Sequence, residues 1–169
     1  MSEEVTIVEA TREDADEVLK LLKQLDQETE TFTVEDDLNK LTAATEEKQL
    51  ELIQQSRENL ILLAKYQGHA IGLASVMKDE TTELGEVGVA VLKSFWNQGL
   101  GTALVEETIT WGESFSWLPG LMLTVQERNQ GAYHIYRKLG FKDIQRNKIG
   151  FHDKNGIPYA TVDMQLLFS

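Results

Sequence analysis

Seven residues near the middle of the chain, Trp96-Asn97-Gln98-Gly99-Leu100-Gly101-Thr102, form its sharpest chemical feature. A strand-like run ends just before them, a helical run starts inside them, and glycine stands at alternate positions. Glycine lets a backbone approach a bulky anion closely, and a helix N-terminus offers unsatisfied N–H groups at the positive end of its dipole. The segment therefore reads as a phosphate cradle. The glycine-lysine-serine/threonine ending of a nucleotide P-loop is absent, which argues against ATP or GTP. A dinucleotide fingerprint needs a third glycine, yet Ala103 and Leu104 follow Thr102. On these residues alone, a tight strand-to-helix turn with no ligand stays the alternative.

Other chemistries find little support. The chain has no cysteine, which excludes a disulfide framework, a zinc–thiolate site and a cysteine nucleophile together. His69, His134 and His152 fall in a turn, on a helix side and in a polar loop, without metal-ligand spacing, so no metal is expected. No serine has the glycine context of a nucleophile elbow.

The elements that must position the loop are legible from periodicity. Val5–Glu9 alternates as a short strand. Thr11 suits an N-cap with Asp14 three residues on, after which Ala15, Val18, Leu19, Leu22 and Leu25 line one helical face. A second helix is predicted over about Thr45–Arg57, and the polar stretch Glu28–Leu41 between them is ambiguous. From Asn59 the period changes. Leu60–Tyr66 and Ala70–Met77 read as strands joined through Gln67-Gly68-His69, a hairpin signal. Glu83–Val91, Leu121–Val125, Lys142–Ile149 and Ala160–Leu167 are further strands, the last two able to pair. Gly99–Ser114 and Gln130–Leu139 are helices, with Ala132, Ile135, Tyr136 and Leu139 on one stripe of the second and Gly140 placed as its C-terminal cap. Gly85 and Gly88 suggest a bulge that would splay the sheet, and Trp111 and Trp117 are expected in the core.

At 169 residues and 41% hydrophobic, the chain suits one domain spanning 1–169, since single domains cluster at roughly 100–200 residues. No apolar run approaches the roughly 20 residues of a membrane span, and Met1–Glu4 opens acidic, unlike a secretory signal. A cytoplasmic protein without a membrane partner is the expectation. The net charge of -12 argues against a nonspecific nucleic-acid binder. That charge is uneven: residues 1–58 hold 17 acids and 6 bases, whereas from Arg128 onward 7 bases face 3 acids. An acidic front and a basic back suit an anionic ligand on one side and a cationic one on the other, although solvated helix faces are also charged.

Residues 83–141 resemble the core of the GNAT superfamily of acyl-CoA-dependent N-acyltransferases. Glu86-Val87-Gly88-Val89-Ala90-Val91 is similar to that family's central strand, and Gln98-Gly99-Leu100-Gly101-Thr102-Ala103-Leu104 to its pyrophosphate loop and helix. Val125, Asn129, Ala132, Tyr136, Lys138, Gly140 and Phe141 match its second signature in order and spacing. One position departs: the family often carries Gln or Arg three residues before the first loop glycine, where this chain has Trp96.

The resemblance implies a mixed α/β (α+β) fold, with a mostly antiparallel sheet of six to seven strands flanked by about four helices. It implies acetyl-CoA as co-substrate, held by Val89, Ala90 and Val91, by Asn97, Gln98, Gly99, Leu100, Gly101 and Thr102, and by Asn129 and Tyr136. Arg128, Arg137, Lys138 and Lys142 offer a basic surface for its phosphates. The implied reaction is attack of an amine on a thioester within a ternary complex. The amine must lose a proton and the departing thiolate benefits from one. Glu86, thirteen residues before Gly99, is the candidate base, and Tyr136 is the family tyrosine that can protonate the thiolate, although its place on the apolar stripe also suits packing. The acceptor, a small molecule, peptide or protein amine, is unread beyond a mild preference for a cation, and a homodimer is left open. A CoA-binding module without catalysis is the alternative.

Overall fold

In a computed structural model, described over residues 4–28 and 42–169, seven strands form one sheet in the order β1-β2-β3-β4-β5-β7-β6. They are β1 (Thr6–Glu9), β2 (Leu60–Tyr66), β3 (His69–Lys78), β4 (Gly85–Val91), β5 (Gly120–Gln126), β6 (Lys142–His152) and β7 (Pro158–Leu167). The described helices are α1 (Ala15–Glu28), α2 (Ala43–Gln54), α3 (Leu100–Ser114) and α4 (Gln130–Lys138). All pairings are antiparallel except β4 with β5. The expected element order and mixed, mostly antiparallel sheet are observed. No helix among the described residues is long and apolar enough to cross a membrane.

The centre of the sheet is apolar on both faces. Leu60 to Ala64 are buried without a break, as are Ala70, Ile71, Leu73 and Ala74, so helices must cover both pleats. α1 and α2 pack on each other and on β3 and β2, and α3 packs on β2, β3 and β4. The β2–β3 hairpin turns at Gln67 (φ 52°) and Gly68 (φ 80°), both left-handed, as a primed two-residue turn requires.

Several local expectations shift. The buried stripe of α1 is Ala15, Val18, Leu21 and Leu25, so Leu19 and Leu22 flank it. α2 starts earlier than Thr45 because the Thr42 hydroxyl caps it, accepting the Thr45 N–H at 3.2 Å. It stops before Arg57 because Ser56 Oγ takes the N–H groups of Glu58 and Asn59, both at 3.0 Å. Trp117 is not core: it is 71% exposed, with the Arg57 guanidinium lying 5.5 Å from its ring. Trp111 does pack against the core. Gly85 and Gly88 make no bulge, since β3 and β4 keep one register from Gly72↔Val91 to Lys78↔Gly85. Gly85 is required instead for close packing, because a Cβ there would lie 2.5 Å from Val76 Cγ1 and 2.7 Å from Leu118 Cδ1. The stretch from Glu28 to Leu41 lies, Glu28 apart, outside the described residues.

The entry to α1 is held by a buried carboxylate. Asp14 accepts the Thr11 backbone N–H at 2.8 Å and the Lys65 ammonium at 2.6 Å, which ties a 3-10 turn (Arg12–Asp14) to β2. Burial alone would raise the Asp14 pKa, but the Lys65 and Thr11 hydrogen bonds outweigh it and hold the carboxyl below its ordinary value. A depressed carboxylate stabilises the fold above the ordinary pKa and loses that contribution as pH falls through the depressed one. Asp14→Ala should therefore cost about 2–3 kcal/mol at neutral pH, and the gap to the wild type should close on acidification, as measured by urea unfolding across pH.

Candidate active site

β4 and β5 pair at only two positions, Gly85↔Leu121 and Glu86↔Met122. Beyond them β4 continues to bond β3 as far as Val91, while β5 bonds β7 along its whole length. The two parallel strands therefore part after Glu86, and a cleft of about 740 Å³ opens beside the gap. Its walls come from β3 (Ser75, Met77), β4 (Glu86–Val89), β5 (Leu123–Gln126) and α4 (Asn129, Ala132, Tyr136).

Of the residues singled out in the sequence, the cleft gathers Glu86, Val89, Asn129 and Tyr136. Ala90, Val91 and residues 97–102 do not line it. They lie where β4 ends and passes through a 3-10 turn (Lys93–Phe95) into α3. Asn97 (φ 64°) and Gly99 (φ 78°) are left-handed, which bends the chain sharply into the helix. No side chain caps α3 at Gly99, and the first intrahelical bond runs from the Ala103 N–H to the Gly99 carbonyl at 3.0 Å. The amides of Leu100, Gly101 and Thr102 thus have no intrahelical acceptor. A Cβ on Gly99 or Gly101 would meet nothing within 4 Å, so the cradle is open. Trp96, at the position where the family pattern departs, serves the loop itself: its indole N–H donates to the Val91 carbonyl at 2.6 Å.

α4 is fixed at both ends. Asn129 Oδ1 accepts the Ala132 N–H at 3.3 Å, as an N-cap does. At the other end Gly140 (φ 107°) sends its N–H to Arg137, and Phe141 sends its N–H back to the Tyr136 carbonyl at 3.0 Å. This is a Schellman closure. The buried Phe141 ring meets the Tyr136 ring edge-on at 6.0 Å. Burial pushes the Tyr136 phenol up to about 12, so it keeps its proton at any ordinary pH.

Residues the sequence reading missed also line the cleft, among them Ser75, Met77, Gly150, Phe151 and Thr161. Gly150 alone carried a signal, a glycine directly after the Lys142–Ile149 strand pattern. Part of the basic set is committed elsewhere. Arg128 donates to Gln126 at 2.6 Å and lies 3.6 Å above the Tyr159 ring, and Arg137 donates to the Tyr133 hydroxyl at 3.2 Å. A smaller hollow of about 350 Å³ between α4 and β6 holds Glu127, Tyr133, Asp143 and Arg146. Its polar groups answer one another, Arg146 pairing with Glu127 and the Tyr133 hydroxyl donating to Asp143.

A family model described as the acetyltransferase (GNAT) family matches residues 19–141. A GNAT-family acetyltransferase structure from Streptococcus pneumoniae is 31% identical, covers 98% of this chain and 100% of its own, and has a TM-score of 0.89. The structure of yncA from Salmonella typhimurium, solved with its cofactor acetyl-CoA, is 18% identical over 98% of this chain and 95% of its own, with a TM-score of 0.80. That likeness shows the fold. The peptidyl-lysine N-acetyltransferase YjaB of Salmonella typhimurium is 36% identical over 67 residues, which span 40% of this chain and 40% of that relative's length.

The half-buried phenol can be observed directly. An ultraviolet difference titration of wild type against Tyr136→Phe should show one tyrosine ionising near 12, where a midpoint at the ordinary 10 would mean that its hydroxyl reaches water. Because burial favours the neutral phenol, Tyr136 supports the fold below about 10 and withdraws that support as pH rises toward 12.

Proposed function

The chain belongs to the GNAT family of acetyltransferases, and from that premise we propose that it transfers an acetyl group from acetyl-CoA to a primary amine, directly and within a ternary complex at the β4–β5 cleft. Acetyl-CoA supplies the activated thioester when bound. The chain offers groups that fit it: open glycines and uncommitted amides at the α3 N-terminus for the pyrophosphate, and the parted edge of β4 for an amide-bearing arm. Residues 97–102 would hold the phosphates, Val89, Ala90 and Val91 the arm through their backbone, and Asn129 the arm's amide while still capping α4.

One observation carries the reading. Glu86 and Tyr136 approach a single cleft from different elements, the first on β4 and the second on α4. Glu86 is exposed there and can take the ammonium proton directly or through a water. Tyr136 Oη holds its proton throughout the working range and can present it to the sulfur as negative charge develops. With a pKa of about 12, its main contribution is a strong hydrogen bond formed as the thiolate appears. The chain has no cysteine, the commonest acyl-enzyme nucleophile, which supports the direct route.

The acceptor end favours a cation. Asp79, Glu80 and Glu86 line the cleft, and Lys78 in the same lining pairs with Glu58 at 2.7 Å. A lysine side chain is such a cation, in keeping with the name of the YjaB relative. We take residues 1–169 as one acetyltransferase domain, because all seven described strands join one sheet.

Three variants separate the roles. Gly101→Val places a side chain where the phosphates would sit, at a position where an added Cβ meets nothing within 4 Å. It should weaken coenzyme A binding by at least about tenfold in calorimetry while the chain stays folded, and unchanged affinity would remove the loop from the site. Tyr136→Phe should lower kcat by about 10²-fold or more with coenzyme A affinity retained, whereas a loss within two- or threefold would leave Tyr136 as packing only. Glu86→Gln should depress the rate most at neutral pH and alter the lower limb of the pH–rate profile. If it raised the acceptor KM alone, Glu86 would bind the cation and water would carry the proton. Coenzyme A binding with no thiol release from any amine would make the chain a binding module.

A further inference from the structure

The edge of β4 that faces the gap ends at Val91. In an antiparallel ladder, residue pairs alternate between hydrogen-bonded and non-hydrogen-bonded ones. Val91 stands opposite Gly72, and the next residue, Leu92, gives its N–H to the Ile71 carbonyl at 2.9 Å. The Val91–Gly72 pair is therefore the non-hydrogen-bonded kind, and Val91 turns its own N–H and C=O away from β3. That is the side on which β4 and β5 have parted. There the Val91 carbonyl accepts the Trp96 indole N–H at 2.6 Å.

Core packing does not explain this bond. Trp96 is 48% exposed, so its N–H could reach water, yet it turns back onto the strand that precedes it. The Lys93 ammonium lies 5.9 Å from the centre of its ring. The 3-10 turn between them is held by other groups. The Lys93 N–H goes to Glu28 Oε1 at 2.8 Å, the Phe95 N–H goes to the Leu92 carbonyl at 2.9 Å, and the Phe95 ring meets Tyr66 edge-on at 5.4 Å. Loss of the indole would thus release the loop and leave the turn seated.

Two proposed subsites meet at this bond. Before it lies the open edge of β4, offered to the amide-bearing arm, and after it lie the α3 amides, offered to the phosphates. A ligand that bridges two subsites gains from both only when their spacing matches its own length. A spacing held in advance adds affinity, because less order is lost on binding. The loop between them opens with Asn97 in the left-handed region (φ 64°), a conformation that a side-chain-bearing residue keeps only when its surroundings hold it.

We propose that Trp96 is a positioning residue for coenzyme A: its indole fastens the glycine loop to the end of β4 and so fixes the distance between the arm subsite and the phosphate subsite. The inference rests on the placing of the donor in the acetyl-transfer reading, and is independent of the acceptor and of the chemistry.

Donor length tests it, because coenzyme A spans both subsites and pantetheine only the first. Trp96→Phe keeps a ring and loses the N–H. The Kd of coenzyme A, measured by calorimetry, should rise by about five- to tenfold, the effect of one hydrogen bond. The Kd of pantetheine, read by competition, should stay within about twofold of wild type. With a lysine-containing tripeptide as acceptor, the acetyl-CoA KM should rise as the Kd does, while kcat and the acceptor KM stay within about twofold. In the free protein, the Trp96 indole proton should exchange with water at least about tenfold more slowly than that of Trp117, which is 71% exposed. Unchanged coenzyme A affinity, an equal loss with pantetheine, or equally fast exchange of the two indole protons would each overturn the proposal. Should Trp96→Phe fail to fold, benzothienylalanine at position 96, with sulfur in place of the N–H in a ring of the same shape, decides by the same two affinities. Wild-type protein that binds coenzyme A yet acetylates no amine defeats the acetyl-transfer reading alone, since the affinities still decide on Trp96. Wild-type protein that does not bind coenzyme A defeats both.

Discussion

The parting of β4 from β5 is the constraint on which the rest of the molecule depends. At the closed end the strands are drawn together by glycines. Gly85 sits where any Cβ would press on Val76, Leu118 and Leu121, and Gly120 sits where one would meet the Leu166 carbonyl at 2.5 Å. These contacts fix β4 against β3 and β5 against β7 at one level. Beyond Glu86, strand twist carries β4 and β5 apart, and no crossing hydrogen bond restrains them. Each strand then feeds a helix, β4 into α3 and β5 into α4, so both helix N-termini gather at the open end. Ligands of open α/β sheets bind at the C-terminal ends of parallel strands for this reason: strand edges and helix dipoles converge there.

On the proposed function, packing and chemistry would share one side chain in Tyr136. The Schellman closure at Gly140 turns the chain so that Phe141 returns against Tyr136, and the Asn129 cap holds the other end of the same short helix. A nine-residue helix has little intrinsic stability, so these two ends and the apolar stripe decide where the tyrosine points. The burial that orients it also raises its pKa. One placement thus yields a fixed and protonated donor.

Features set by nearby residues were legible in the sequence. The unbroken apolar run of β2, the left-handed Gln67-Gly68 turn, the glycine loop and the Gly140 cap each follow from residue chemistry within a few positions. Features set across the fold were not. Whether Trp117 is covered depends on what stands over the end of α3, and there it lies beside Arg57, 71% exposed. The α1 stripe chose Leu21 because the sheet beneath fixed the helix rotation, which periodicity leaves free by one position. A splayed sheet was foreseen through a bulge at Gly85 or Gly88, yet β3–β4 is regular and the bulge lies on β6. Glycine in a strand marks a close approach, but only the partner, Val76 for Gly85 and Thr161 for Gly150, decides what it does.

Charge completes the picture of how a chain of net charge -12 can receive a polyanion. The arginines nearest the site are committed to Gln126, Tyr133, Asp143 and Glu127, and acidic Glu28 takes the Lys93 N–H at 2.8 Å just before the glycine loop. Long-range attraction therefore cannot be the main means of holding phosphate. What remains is short-range: backbone amides at the α3 N-terminus and the dipole behind them, both indifferent to the sign of distant side chains once the Debye length of about 8–10 Å is passed. The proposed function then gives the acidity a use at the other end of the cleft, where Asp79, Glu80 and Glu86 line the wall and would meet an ammonium. On the proposed reading, backbone would bind the anion and carboxylates would receive the cation, so one acidic chain could accommodate both.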